Sequence, residues 1–523
     1  MSAHAITRRN LLKRSPLLAV PALLGREAAE AAALPVGTEV YRSIGVRPLI
    51  NARGTYTIIS GSRMLPEVRA AMDAAARHHV HLDELADAIG ARLAELTRAE
   101  WGLVTSGCAA ALTHATSACV AGGNPDLHVR LPDLRGFARD EAIIPKHSRN
   151  VYDAAVRAVG VRVIEVSTVA ELEAAFGPRS ALVYILAGPQ AEAGPLTTRV
   201  ICDAARAKGV PVLVDAAAEV LTVPNVHLEA GATLVAYSGG KCLRGPQTAG
   251  LLLGRKDLVR AAWVHSAPHH GFARALKVGK EEAIGMLTAV EMWMKRDHAA
   301  EWAQWTSWLE AIASRVKTVD GVRTVRIEPE GLSNKTPSLQ VLWAPQRFGI
   351  TGPKAARHLF DTDPRVAVFP ANVKGDTETG LLVTPYMLAA GEEKIVADRI
   401  VALLKDPPRS AEAAPAAPGT DLTGQWDVRI EYAAGVSSHT LHLMQRGSRL
   451  SGSHQGDFVS RDLSGTIEGN TVRIASDYPE SHGDALSYTF TGQVTADQMS
   501  GPLEMGEYRA ARWTAKRRLH DQG

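Results

Sequence analysis

The residues best placed for covalent chemistry lie between Leu234 and Gly254. There an apolar run ends in Ser238-Gly239-Gly240, one lysine follows at Lys241, and a second apolar run begins after a Gly-rich turn. The pattern predicts two buried strands with the lysine between them. A lysine held there loses water, which lowers its pKa and frees the amine to form a Schiff base with an aldehyde. Glycine-flanked lysines are also common in solvated loops, so this one needs partners.

Two other stretches supply them. Gly209-Val-Pro-Val-Leu-Val-Asp215 reads as a buried parallel strand ending in an acid, where open α/β sheets place ligand contacts. A carboxylate there can keep a pyridinium nitrogen protonated so that the ring acts as an electron sink, and Ala217 is small enough for the ring to lie against the backbone. Upstream, a short strand runs through Thr105-Ser106-Gly107-Cys108 into an alanine-rich helix, so backbone N–H groups and hydroxyls converge where a phosphate could dock. An ordinary N-cap would also place Ser-Gly at a helix start. Phosphate loop, acid and lysine in this order point to pyridoxal 5'-phosphate, held by Ser106, Gly107, Cys108, Asp215, Ala217, Ser238 and Lys241.

Together these stretches resemble the fold-type I pyridoxal-phosphate enzymes, and more narrowly their selenocysteine-synthase-like, D-glucosaminate-6-phosphate ammonia-lyase-like group. The resemblance covers about Tyr41 to Leu404 through Asn51-Ala-Arg-Gly-Thr-Tyr-Thr57, Gly61-Ser-Arg-Met-Leu-Pro-Glu67, Val214-Asp-Ala-Ala-Ala-Glu219, Ser238-Gly-Gly-Lys241, Lys277-Val-Gly-Lys-Glu-Glu282 and Gly391-Glu-Glu393. It implies an aminotransferase class V-like fold, with Lys241 as the Schiff-base lysine, Asp215 as the pyridine-nitrogen partner and Ser106 to Cys108 as the phosphate loop. It also implies a homodimer or higher homo-oligomer with the site built between subunits. Lys280 and Glu281 enter on the resemblance alone. Two segments depart from the group. Cys108 stands where the group has an all-small loop, and His78-His-Val-His-Leu-Asp83 replaces a Phe-Val-Asp-type segment where the resemblance places substrate specificity.

The expected activity is that of a lyase or transferase acting on an amino acid or amino sugar, with β-elimination the first expectation. The released lysine or His147 would take the α-proton. His147 follows Ile143-Ile-Pro-Lys146 and would stack on the ring or shuttle a proton, while a helix-capping cluster accounts for it equally well. Arg274 is a candidate for a substrate carboxylate or a neighbouring subunit's phosphate, because guanidinium binds such groups in a fork; a surface salt bridge is the competing reading. A non-catalytic exported binding protein, with the C-terminal domain as its interaction module, is the alternative from another class. Retention of both Lys241 and Asp215 argues against it.

Residues 1–33 begin with Thr7-Arg-Arg-Asn-Leu-Leu-Lys13, then a short apolar stretch and Ala31-Ala-Ala33, and read as a twin-arginine export signal. That route carries folded proteins, as a cofactor loaded in the cytoplasm requires, and makes the mature protein periplasmic or secreted with the export machinery as a partner. The apolar stretch is too short for a stable membrane span. Five basic and two acidic residues leave with the signal, which removes the whole chain's surplus of +3. No bulk positive charge remains for nucleic acid. Cys108, Cys119, Cys202 and Cys242 lack metal-ligand spacing and are expected to be buried small side chains. His78, His79 and His81 likewise accompany no ligand set, so no metal is expected.

A chain of 523 residues with 46% apolar content supports several cores. Alternating strands and helices over 34–300 predict a mostly parallel sheet with helices on both faces, and 301–406 a small α+β lobe. A helix from Pro66 through Val80, and one long helix from Ile284 to about Val316 carrying Trp293, Trp302, Trp305 and Trp308 as a packing surface, are expected within this part. Residues 407–420 form a Pro/Ala-rich linker, and 421–517 alternate as an all-β barrel or sandwich. Leu-Ser-Gly or Met-Ser-Gly at 450, 463 and 499 suggests repeated hairpins.

Overall fold

The computed structural model describes residues 39–375, 377–408, 416–479 and 485–518. The export signal expected at 1–33 lies outside them, as does 409–415 of the linker. A first unit, ending at Leu49, contains one exposed helical turn, Glu39–Arg42.

A seven-stranded sheet forms the centre of the large domain: β1 (Trp101–Thr105), β2 (Glu141–Pro145), β3 (Arg162–Val166), β4 (Ser180–Leu186), β5 (Val212–Asp215), β6 (Leu234–Ser238) and β7 (Gly250–Gly254). Their order is β1-β7-β6-β5-β4-β2-β3. Strand β7 runs antiparallel to both neighbours, and the other pairs are parallel. The strands are almost wholly aliphatic because both faces are covered. Val183, Ile185, Val212, Val214 and Leu253 face one core, and Leu182, Tyr184, Leu213 and Leu252 the other. In register, Asp215 sits beside Leu186 on one side and Ala236 on the other. This brings the acid to the carboxyl edge of the sheet, one strand from the lysine turn.

Helices α1 (Pro66–Ala76), α2 (Leu82–Thr97), α3 (Cys108–Ala121), α4 (Lys256–Val264), α5 (Lys280–Lys295) and α6 (His298–Val316) follow in chain order. Helix α1 is shorter than expected: Arg77 caps it, and His78, His79 and His81 lie exposed in the extended link to α2. Among the described residues no His/Cys/Asp/Glu group could hold a metal ion. The single long tryptophan helix is also corrected. Arg296 turns to extended backbone, and the Asp297 carboxylate accepts from Ala300 N at 2.9 Å, starting a new helix in place of continuing the old one. Trp293, Trp302 and Trp305 are half-buried and, with Tyr386, line a cavity of about 390 Å³.

The small lobe is an antiparallel sheet of β8 (Arg323–Ile327), β9 (Ser338–Trp343), β10 (Phe369–Pro370) and β11 (Thr379–Val383), ordered β10-β11-β9-β8 and packed on α6 and α7 (Glu392–Lys405). Ile50–Asn51 pairs in parallel with Val366–Ala367, and Ala52 enters this lobe's core. The stretch around residue 50 therefore packs with the lobe rather than with the seven-stranded sheet.

The C-terminal domain is a closed barrel of eight antiparallel strands: β12 (Gly424–Glu431), β13 (Val436–Arg446), β14 (Arg449–Gln455), β15 (Ser460–Glu468), β16 (Thr471–Pro479), β17 (Ala485–Thr495), β18 (Gln498–Glu504) and β19 (Ala510–Arg517). The repeated hairpins expected from the Leu-Ser-Gly and Met-Ser-Gly motifs are present, with each motif inside a strand. A Cβ on Gly452, Gly465 or Gly501 would collide with the carbonyl oxygen of His442, Arg473 or Thr491 on the adjoining strand. These glycines allow the close approach by which a sheet bends into a barrel. No helix among the described residues is long and apolar enough to cross a membrane.

Candidate active site

Asp215 ends β5 almost completely buried, where burial raises its pKa above the usual carboxylate range and the charge of Lys241 opposes the shift. Three groups donate to it. Ala217 N–H at 3.0 Å and the Cys108 thiol at 3.5 Å reach Oδ1, and the Tyr184 hydroxyl at 3.1 Å reaches Oδ2. Asn150 Nδ2 donates in turn to Tyr184 Oη at 2.9 Å, which orients the tyrosine proton toward the carboxylate. Oδ1 is thereby saturated, and Oδ2 keeps one lone pair unclaimed among the described residues. A cationic ring nitrogen is the partner such an acid lacks.

Lys241 is half-buried, not dry as the sequence implied, and its Nζ makes no hydrogen bond or ion pair among the described residues. Its turn is held from beneath. Gly239 N bonds Ala249 O at 2.8 Å, Gly245 N bonds Gly239 O at 2.8 Å, and Arg296 Nη1 donates to Cys242 O at 2.9 Å. A Cβ on Gly239 would stand 2.8 Å from Ala249 O, so the Gly-Gly before the lysine is required by close approach. Ser238 is half-buried at the end of β6 and pairs with Gly250.

The phosphate loop leads into α3, whose N-cap Gly107 (φ +94°) carries no side-chain cap and faces open space where its Cβ would be. The free N–H groups of a 14-residue helix are a place for an anion. Gly250 lets β7 pass beneath, since a Cβ there would collide with Gly107. The Ser106 hydroxyl donates to Leu276 O at 2.9 Å, so it anchors the segment Phe272–Leu276, and the phosphate is left to the backbone. Arg274 lies on that segment, exposed, its side chain without a hydrogen bond among the described residues. Cys108 is buried beside Asp215, and burial together with that acid pushes its thiol pKa far up. It acts as a neutral donor. All four cysteines are free and buried.

His147 follows β2 on a 3-10 turn, half-buried, with Nε2 enclosed and unpartnered among the described residues. Burial lowers its pKa, and Glu192 opposes the shift. Lys280 Nζ, in contrast, ties α5 to α1 through Ala75 O at 3.1 Å and pairs with Glu281. Sequence reasoning missed Tyr184 and Asn150 as partners of the acid. It also gave no role to Arg53. The Asn51 side chain fixes a turn by accepting from Arg53 N and Gly54 N at 3.0 Å, and Arg53 lies 4.0 Å over the Phe369 ring with Nε buried and unpartnered. Farther along the same loop Ser62 N bonds Gly240 O at 3.0 Å, so the loop is seated on the lysine turn. The signal for Tyr184 was a single aromatic hydroxyl in the aliphatic run 181–186. For Arg53 it was a charge inside a motif already quoted.

An acid with one open lone pair, an uncapped helix N-terminus, an unpaired lysine and an orphaned His147 Nε2 fit pyridoxal phosphate. Comparison with known proteins agrees. The chain is 34% identical over 299 residues to the 5'-C-glycyluridine monooxygenase-decarboxylase of a Streptomyces species, covering 54% of this chain and 73% of that protein. It is 30% identical over 292 residues to D-glucosaminate-6-phosphate ammonia lyase of Salmonella typhimurium (strain 14028s / SGSC 2262), covering 54% of this chain and 76% of the relative. The chain belongs to this family of fold-type I pyridoxal-phosphate enzymes. A solved structure of D-glucosaminate-6-phosphate ammonia-lyase superposes with a TM-score of 0.62 at 26% identity, over 70% of this chain and 98% of that one. Nearly all of that protein is thus matched while a large part of this pyridoxal-phosphate enzyme, a lyase or transferase, lies beyond the match. No family model matches the chain.

Proposed function

We propose that the enzyme eliminates a leaving group from the β-carbon of an amino acid or amino sugar, with Lys241 as the residue that binds the cofactor aldehyde. The observation that carries this reading is Asp215, buried at the sheet edge with three donors of its own and Lys241 within electrostatic reach. When bound, pyridoxal phosphate supplies the electron sink that makes a Cα–H bond acidic. The Asp215 carboxylate would hold the proton on the ring nitrogen, Ala217 would bound the ring, and the N–H groups of Cys108 and Ala109 would hold the phosphate with Ser238 beside them, the Gly107 N–H being bonded to Thr105 O. Lys241 Nζ would take the α-proton, and His147 Nε2, enclosed and without a partner among the described residues, is the second candidate base. The Cα–H pair moves into a Cα–Cβ double bond as the β-substituent departs with its bonding electrons. Arg53, with an unmatched donor on the loop seated against the lysine turn, orients the substrate's anionic group; Arg274 does so if a second subunit brings it in.

Both relatives are named for reactions that cleave a bond at an amino-bearing substrate, which supports this class without naming the substrate. The test is the visible absorption of the purified protein beside Lys241→Ala, followed by a panel of amino acids and phosphorylated amino sugars with ammonia as the measured product. A band present in the wild type, absent in the variant and shifted by a substrate that releases ammonia is expected. A band whose substrates release no ammonia would replace elimination by transamination or racemisation.

Homodimerisation is part of the proposal and rests on the resemblance. Export is part of it too and rests on the sequence: Arg8 and Arg9 support a twin-arginine route to the periplasm or medium. Fractionation of cells making the Arg8→Lys, Arg9→Lys variant should find the enzyme held inside, and unchanged distribution would end that reading.

A further inference from the structure

The two ends of the barrel differ. At one end the strands join through two-residue turns at 447–448, 469–470 and 496–497, while at the other the described connections are 432–435, 456–459 and 505–509. The tight end is packed with Trp426, Leu443, Leu450, Ile467, Val472, Val494 and Met499. Toward the longer loops the inward positions become polar. Ser437 Oγ meets His439 Nε2 at 3.1 Å, His439 Nδ1 meets His454 Nε2 at 2.8 Å, and His454 Nδ1 meets Ser476 Oγ at 2.6 Å. Each of these groups is matched by the next.

Arg461 is the exception. It starts β15 at this end, is only 6% exposed, and lies 4.8 Å from the Tyr488 ring centroid. Its Nε and Nη1 are buried without a hydrogen-bond partner, and no carboxylate pairs with it among the described residues. Asp457, the nearby acid, is half-exposed and lies 3.7 Å from His439 instead. Burial and the charge of Arg461 itself keep both histidines below their ordinary pKa, His454 at about 3, so they are neutral neighbours at pH 7. A guanidinium taken out of water without a counter-ion is strongly unfavourable, and the interior of a closed eight-stranded barrel is wide enough to hold one small ligand. The rim carries Phe458, 98% exposed, and half-exposed Val436, while the floor beneath is Phe490 against Trp513.

We propose that the open end of the barrel binds a small organic monoanion, a carboxylate on an apolar body, through Arg461. One fixed cation matches one negative charge, the serine hydroxyl left free at one end of the Ser-His-His-Ser chain offers the second carboxylate oxygen a hydrogen bond, and the rim and Tyr488 take the apolar part. This site is separate from the lysine pocket in residues and chemistry.

The test uses the full-length, cofactor-loaded protein and isothermal titration calorimetry with sodium octanoate, octan-1-ol and inorganic phosphate. Octanoate should bind the wild type, Arg461→Met should weaken it about tenfold or more, and octan-1-ol and phosphate should both bind weaker than octanoate by a similar factor. If Arg461→Met does not fold, Phe458→Asp at the exposed rim should weaken octanoate through added negative charge. Absence of octanoate binding to the wild type means the chain neutralises Arg461 itself, and overturns the proposal. So does equal binding of octan-1-ol or phosphate, or an affinity unchanged by either substitution.

Discussion

Asp215 and Arg461 are both charged side chains withdrawn from water, and the chain surrounds them in opposite ways. Around the acid it gathers a backbone amide, a thiol and a hydroxyl that is itself oriented by Asn150. Around the arginine it places an aromatic face and two neutral histidines and, among the described residues, leaves two guanidinium nitrogens without an acceptor. A supported charge can wait for its ligand in a fixed position, since its own hydrogen bonds already repay part of the desolvation. An unsupported charge leaves the ligand to supply the compensation, so binding there should also stabilise the domain. A resident cofactor suits the first arrangement and an exchanging ligand suits the second.

The largest test of that contrast is Asp215→Asn, which keeps shape and removes charge. Activity should fall ~100-fold or more with pyridoxal phosphate still bound, read from kcat beside the cofactor's absorption. Retention of activity within a few-fold would mean that the buried acid is structural, like the histidine chain in the barrel.

Next in size is the acid sensitivity of the barrel. The folded pKa of His454, about 3, lies below its ordinary value of 6.5, so its contribution is fully present above pH 6.5 and is lost as pH falls toward 3. At pH 5 that loss amounts to about 2 kcal/mol. His114 is buried in the large domain with a pKa also lowered to about 3, so both domains should weaken together in acid. Thermal unfolding between pH 7 and pH 5 should show the loss, and His454→Gln should flatten it for the barrel alone. An equal slope in the variant would break the assignment.

The smallest effect belongs to Tyr184→Phe. It removes one donor to Asp215 Oδ2, and ~10-fold of kcat should go with it, the size expected of one hydrogen bond to a charged group. If activity is unchanged, the carboxylate is oriented by Ala217 and Cys108 alone.

Lys241, Asp215 and the loop at Ser106 were legible because each sits where a local pattern breaks: an aliphatic run stops and a glycine, acid or lysine begins. The open parallel sheet and the β-rich C-terminal domain were legible for the same reason. Tyr184 and Asn150 were not, because their role exists only after β2, β4 and β5 are laid side by side, and nothing within either segment specifies that register. The break at Asp297 carried a signal in a capping residue three before Ala300, overridden in the reading by a continuous tryptophan spacing. The Leu-Ser-Gly motifs marked repeated hairpins, but the reason for their glycines, a carbonyl on the adjoining strand, exists only once the strands are paired. Arg461 shares the inward parity of Leu463, so the two-residue period alone could have singled it out.

The pairing of Ile50–Asn51 with Val366–Ala367 imposes an order on assembly. The loop that bears Arg53 and rests on the lysine turn is anchored by chain made more than three hundred residues later. On the ribosome the seven-stranded sheet can form with this loop still loose, and the lysine turn gains its cover only when the small lobe has emerged. The pocket therefore closes late, and the interval before closure gives the newly made chain an open door through which its cofactor can enter.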